Sequence, residues 1–314
     1  MSAPARLFAP SSVWNQSLPV DAPLDPGSTA MTQALAEEAE REQAANNGPW
    51  INTSYSSTPI YVAGPSQPPV FVTLDNAAAW WRINLQAAFE AVPIPANAHQ
   101  AAGPDAQITV YQPSTDRLWE FFHARKLADG WHAAWGGAIE HVSQSPGYYT
   151  STSWAGSGSY WGASATSLPL VAGTITISEL QSGRIEHALA MALPYPRAGV
   201  YAWPAQRSDG TGSEPTDIPE GAQLRLDPSL DIPALHLPPG AEMLALAAQR
   251  YGIVVRDQTH HAIGFYGEDP TPRGSDPYDG PRGFYGGLSP TRLLSRFPWR
   301  SLQILRMTLH STSH

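Results

Sequence analysis

The stretch Val110-Tyr111-Gln112-Pro113-Ser114-Thr115-Asp116-Arg117-Leu118-Trp119 decides the fold class. Two runs rich in apolar and aromatic residues flank a Pro-Ser-Thr-Asp break. Proline presets the turn dihedral, and serine, threonine and aspartate bond back to their own backbone. The stretch therefore predicts an antiparallel hairpin. Working outward, short β-rich runs between Gly, Pro, Asp and Ser breaks predict strands at 60–62, 70–74, 108–112, 117–124, 131–136, 173–177, 184–193, 223–226, 253–257, 262–266 and 302–309. A second hairpin is expected between Val255-Arg256-Asp257-Gln258 and Gly264-Phe265-Tyr266. Three helices interrupt the pattern. Ser28 or Thr29 can cap the first, Met31, Leu35 and Ala39 form its apolar stripe, and Asn46-Asn47-Gly48-Pro49 stops it. A second fits 239–250, with Met243, Leu244 and Ala247 inward, and a short third follows Pro290. No strand–helix units of about thirty residues recur, which argues against a doubly wound fold. The expected architecture is mainly β: an antiparallel β-sandwich or jelly roll with a few peripheral helices. A single domain is expected over 1–314, with 1–60 as a helix-bearing elaboration and 60–310 as the β core.

Composition narrows the chemistry. The 314 residues include no cysteine and carry a formal net charge of −9. Thiol nucleophiles, disulfides, Fe–S clusters and cysteine-held zinc are excluded. Lys126 is the sole lysine and lies outside any glycine-rich phosphate loop, which removes that class of nucleotide hydrolase. No basic run exists, so no nucleic-acid partner is expected. No apolar run approaches the roughly 18 residues needed to span a bilayer, and no membrane insertion is expected. The first residues lack the apolar core of a secretory signal. The many Pro, Trp, Tyr, Ser and Thr residues, with so little Lys, point to an exported protein whose signal is missing from this sequence, with a phage virion protein as the alternative.

The segments Pro113-Ser114-Thr115-Asp116-Arg117-Leu118-Trp119-Glu120-Phe121, Trp131-His132-Ala133-Ala134-Trp135-Gly136-Gly137, Gly183-Arg184-Ile185-Glu186-His187-Ala188-Leu189 and Leu224-Arg225-Leu226-Asp227-Pro228 resemble a set of secreted bacterial proteins, many of them actinobacterial. The resemblance runs over roughly residues 8–305. It implies export and carries no mechanism. In architecture alone, an aromatic-rich jelly roll is similar to many polysaccharide hydrolases and lyases, and none of their local signatures is present.

Four constellations could carry chemistry. In a strand, Trp119, His123 and Arg125 share one face, while Glu120 lies on the other between Leu118 and Phe122, where desolvation would raise its pKa. Around Arg184, a strand would put His187 among Ile185, Leu189 and Met191, and Glu186 beside alanines. Trp131 and Trp135, four apart, with Trp154 and Trp161 among Ser and Gly, could stack on sugar rings. After the edge at Trp203, the polar loop Gln206-Arg207-Ser208-Asp209-Gly210 is suited to binding. Asp209, Glu214 and Asp217 are the acids that could hold Ca²⁺, the one cofactor considered. His260 and His261 are adjacent and diverge, so no zinc site is expected, and Gly-x-Ser-x-Gly is absent.

These features predict an enzyme that cleaves an extracellular or cell-wall polysaccharide, most simply a glycoside hydrolase with two carboxylates. Glu120 and Glu186 are the expected catalytic pair, with His187 and Asp209 in support. Trp119, His123, Arg125, Trp131, Trp135, Trp154, Trp161, Arg184, Trp203 and Arg207 are the expected substrate contacts. A lyase using His187, Arg184 and Tyr201 is the alternative enzyme. A non-catalytic glycan-binding or virion protein is the alternative outside catalysis. The sequence leaves the oligomeric state open.

Overall fold

In the computed structural model, the described residues are 6–75, 82–157 and 162–312. The chain begins with helix α1 (Ser28–Ala45) and three short strands, β1 (Trp50–Asn52), β2 (Ile60–Val62) and β3 (Val72–Leu74), before helix α2 (Arg82–Ala88). Five strands follow: β4 (Ile108–Gln112), β5 (Arg117–Phe122), β6 (Arg125–Leu127), β7 (Gly130–Ala133) and β8 (Trp135–Glu140). Helix α3 (Ile177–Ser182) leads to β9 (Leu189–Leu193), β10 (Val200–Ala202) and β11 (Gln223–Leu226). Helix α4 (Pro239–Arg250), β12 (Ile253–Gln258), β13 (Gly264–Tyr266), helix α5 (Pro290–Leu293), β14 (Leu302–Ile304) and β15 (Leu309–Ser311) complete the chain.

The fold is mainly β with few helices, and its sheets are mixed rather than antiparallel. The largest has the order β1-β13-β9-β12-β11-β14, and β1–β13 and β9–β12 are parallel pairs. A second sheet, β2-β4-β5-β8, contains the expected hairpin in register, Val110 opposite Trp119, with parallel β2 added at its edge. Smaller sheets join β3, β7 and β6, and β10 with β15. The expected second hairpin does not form. β9 lies between β12 and β13, because its Leu-Ala-Met-Ala-Leu run is buried on both faces and takes a central place.

β9 divides two cores. Leu189, Met191 and Leu193 face a cluster with Leu35, Leu244 and Phe265, on the side covered by α1 and α4. Ala190 and Ala192 face a cluster with Ile108, Val110, Leu118 and Phe121 of the second sheet. The small side chains on that face leave room for the segment at Gly173, whose Cα lies against Ala190.

Three local expectations are corrected. Ser28 is not a cap for α1: Gly27 holds that place, and the Ser28 hydroxyl accepts from the Ile304 amide at 2.8 Å. The segment expected as strand 173–177 instead leads into α3, whose capping box is formed by Thr176 and Glu179. Residues 184–188 precede β9 and are not part of it, so the face assignments made there from strand periodicity do not hold.

Candidate functional site

A cleft of about 1160 Å³ opens where β9 and β12 end, at Ala192, Asp257 and Gln258. Its other walls come from Trp50–Asn52 and the residues after it, from Asp105 and Gln107, from Phe122 and Trp135, and from the loop holding Arg207 and Asp209. Aromatic rings line much of it: Trp50, Tyr55, Phe122, Trp135 and Tyr266. The Trp135 ring is fixed by its Nε1–H, which donates to the Gly162 carbonyl at 2.8 Å.

A β-bulge aims Asp257 into this cleft. From Ile253 to Val255 the residues of β12 pair one for one with β9, then the register shifts and Asp257 pairs with Ala192. Strict alternation would have put Asp257 on the helix-covered side. The extra residue, Arg256, moves it to the face that Ala192 shares, a known use of bulges next to functional sites. Arg256 itself is fully buried. Its Cζ lies 3.6 Å from the centre of the Tyr266 ring, and its Nη1 donates to the carbonyls of Leu170 and Ala172 and to the Thr174 hydroxyl.

Three carboxylates meet here. One oxygen each from Asp209, Glu220 and Asp257 lies within 4.8 Å of the others. Asp209 is exposed, Asp257 is half-buried, and Glu220 is wholly buried behind them. The Asp209 amide donates to Glu220 Oε2 at 3.1 Å, whereas Glu220 Oε1 is buried with no hydrogen-bond partner among the described residues. Burial, reinforced by the charges of Asp257 and Asp209, pushes the Glu220 carboxyl far above its ordinary value. Burial and the Asp209 charge likewise raise Asp257. Arg207 faces all three acids, and its Nη2 donates to the Ser164 carbonyl at 2.7 Å.

Of the residues expected from sequence, Asp209, Arg207 and Trp135 line the cleft. Glu120 does not. It is fully buried, accepts from the Tyr149 hydroxyl and the Val171 amide at 3.0 Å each, and burial raises its carboxyl to about 7. Glycines at 137 and 162 make room for the Tyr149 ring, which a methyl group at either position would overlap. Glu186 sits half-exposed on the loop before β9 beside exposed Arg184, 3.6 Å away. His187 is buried against Glu179, with Nε2 3.0 Å from the carboxylate, so the acidic partner that a buried imidazole needs comes from α3. The Glu120–Glu186 pair is therefore not a shared site: one is core and the other rim.

The remaining expected contacts are scattered. Trp119, Trp131 and Trp154 are core residues. Arg125 pairs with Asp75 at 2.9 Å on the surface. His123, exposed, stacks on Phe122 at 4.0 Å. Trp203 is exposed and meets Tyr148 edge-on, away from the cleft lining. Trp161 lies outside the described residues. The lyase set disperses as well, since Tyr201 stacks on His310 across β10–β15, and neither it, His187 nor Arg184 lines the cleft. The acids expected to hold calcium fall into two groups. Asp217 Oδ2 accepts from the Glu214 amide at 2.8 Å in a turn of their own, whereas Asp209 joins Glu220 and Asp257.

Sequence reasoning missed Asp257 and gave Glu220 no part in the chemistry, only a place among the loop acids that could hold Ca²⁺. Asp257 was hidden by the bulge, which alternation cannot foresee. Glu220 was hidden by a turn-rich context that read as solvated. A usable signal for Asp257 was a charged Arg-Asp pair closing the apolar run 253–255. No known family pattern, curated protein or solved structure matches the chain.

Proposed function

We propose that the protein is a glycoside hydrolase acting on an extracellular or cell-wall polysaccharide, with Asp209 and Asp257 as its catalytic carboxylates. The observation that carries this reading is their adjacency in an aromatic-lined cleft, in surroundings of unlike polarity. Asp257, half-buried and raised in pKa, suits the proton donor; exposed Asp209 suits the nucleophile. Oxygens within 4.8 Å leave no room for water between the two and match the close spacing of retaining enzymes, roughly 5–5.5 Å. Asp257 gives its proton to the glycosidic oxygen as Asp209 bonds to the anomeric carbon and the leaving sugar departs. Asp257, now ionised, takes a proton from water, whose oxygen attacks the same carbon and releases Asp209. Glu220 touches no substrate, and it positions Asp209 through the backbone amide.

The test is a polysaccharide panel read for new reducing ends, with wild type, Asp209→Asn and Asp257→Asn compared. Each variant is expected to lose at least about a hundredfold in turnover while still folding with a single cooperative melting transition. Full activity in either variant overturns the assignment. The assay is repeated in excess calcium and in chelator. Unchanged rates and melting are expected if Asp257 carries a proton, whereas stabilisation by calcium, through mass action, would make the trio a cation site instead.

A further inference from the structure

Which glycans the cleft accepts follows from its charge. Among its described lining residues, Asp105, Asp209 and Asp257 are acidic and Arg207 is the one Lys or Arg. The guanidinium of Arg207 is committed: it bonds the Ser164 carbonyl, and Asp209, Asp257 and Glu220 surround it. The Asp105 charge also reaches the centre, acting on Asp257. Among the described lining residues no second Lys or Arg is left over for an anionic sugar, the other basic side chains there being the imidazoles of His260 and His261, and the whole chain carries −9. The aromatic lining offers flat faces for the C–H faces of uncharged pyranose rings, and carboxylates accept hydrogen bonds from their hydroxyls.

We propose that the cleft takes a neutral polysaccharide and turns away uronate-bearing or sulfated chains. This substrate class rests on the hydrolase reading above and sets the protein apart from lyases, which need a free cation at the uronate. Like charge against like charge gives this kind of specificity by repulsion, and dissolved salt weakens it over a Debye length of about 8–10 Å.

The experiment pairs polymers of like backbone and unlike charge: galactan against polygalacturonate, mannan against alginate, and hydroxyethyl against carboxymethyl cellulose. Reducing ends and unsaturated products are measured at low and at high salt, and retardation in glycan-containing native gels reports binding. At least a tenfold preference for a neutral member is expected, narrowing with salt, with no unsaturated product. Asp105→Asn should shrink the preference severalfold. Cleavage of a uronate polymer as fast as its neutral partner, lost in Asp209→Asn, overturns the substrate class and leaves the hydrolase intact. If no glycan in the panel is cut or retarded, both the hydrolase reading and this inference fall.

Discussion

Glu120 favours its protonated form in the folded state because its carboxyl is out of water, with Tyr149 and Val171 as its hydrogen-bond donors and no ion pair among the described residues. Its folded pKa, about 7, stands above the ordinary 4.5. The stability it contributes is therefore full below about pH 4.5 and is lost as pH rises through 7. The difference corresponds to about 3 kcal/mol. Glu120→Gln keeps the uncharged shape: its amide oxygen can accept from Val171 and its NH₂ can donate to Tyr149. Urea unfolding at pH 5 and pH 8 should show the variant losing about 3 kcal/mol less between them than wild type does, with glycan turnover unaltered. Turnover collapsing in this variant at constant stability would return Glu120 to the chemistry. The sequence made the raised pKa of Glu120 legible, because Leu118 and Phe122 flank it on its own strand face. It did not show whether that face met solvent or a second layer. Asp209 and Arg207 were legible for a different reason: a polar glycine-containing loop after an aromatic edge has few ways to bury itself.

At the scale of elements, β12 governs the site. Local signals sufficed for the hairpin 108–122, for 223–226 and for the helix at 239–250, where neighbouring residues supply turn, period and stop. They failed for β12 and β13, since the insertion of β9 between them depends on residues some sixty positions earlier in the chain. They failed also at the bulge, whose extra residue is held by groups distant in sequence, among them the carbonyls of Leu170 and Ala172, the Thr174 hydroxyl and the Tyr266 ring. Arg256→Ala removes those contacts and strands their acceptors. It should cost about 3 kcal/mol in urea unfolding. It should also lower turnover at temperatures where the variant is fully folded, because Asp257 is aimed by the residue before it. Arg256→Lys, which can regain some of the bonds, should recover part of both. A variant with lost stability and normal turnover would mean that the bulge persists without its guanidinium anchor.

For the whole molecule, buried acids dominate the response to pH. Burial lifts Glu42 to about 7 where it accepts from the Ile263 amide, lifts Glu120 to about 7, and raises Asp257 and Glu220. Each holds its proton in the folded state and releases it on unfolding at neutral pH, so the native state binds more protons and stability declines as pH rises. The buried His187, raised by Glu179 against the opposing effect of desolvation, has the same sign, since its folded form keeps a proton that the unfolded form gives up. The melting temperature should therefore be highest near pH 5 and fall steadily to pH 9. Catalysis should decline on the alkaline side for a separate reason, the ionisation of Asp257, which leaves no proton for the departing sugar. The two declines are separable. Glu42→Gln and Glu120→Gln, at positions that do not line the cleft, should flatten the melting profile and leave the pH–rate profile where it was. Conservative change at Asp257 to Glu should move the alkaline limb of the rate with little effect on melting. If the rate profile instead tracks melting in every variant, the alkaline loss of activity is unfolding, and Asp257 is not the proton donor.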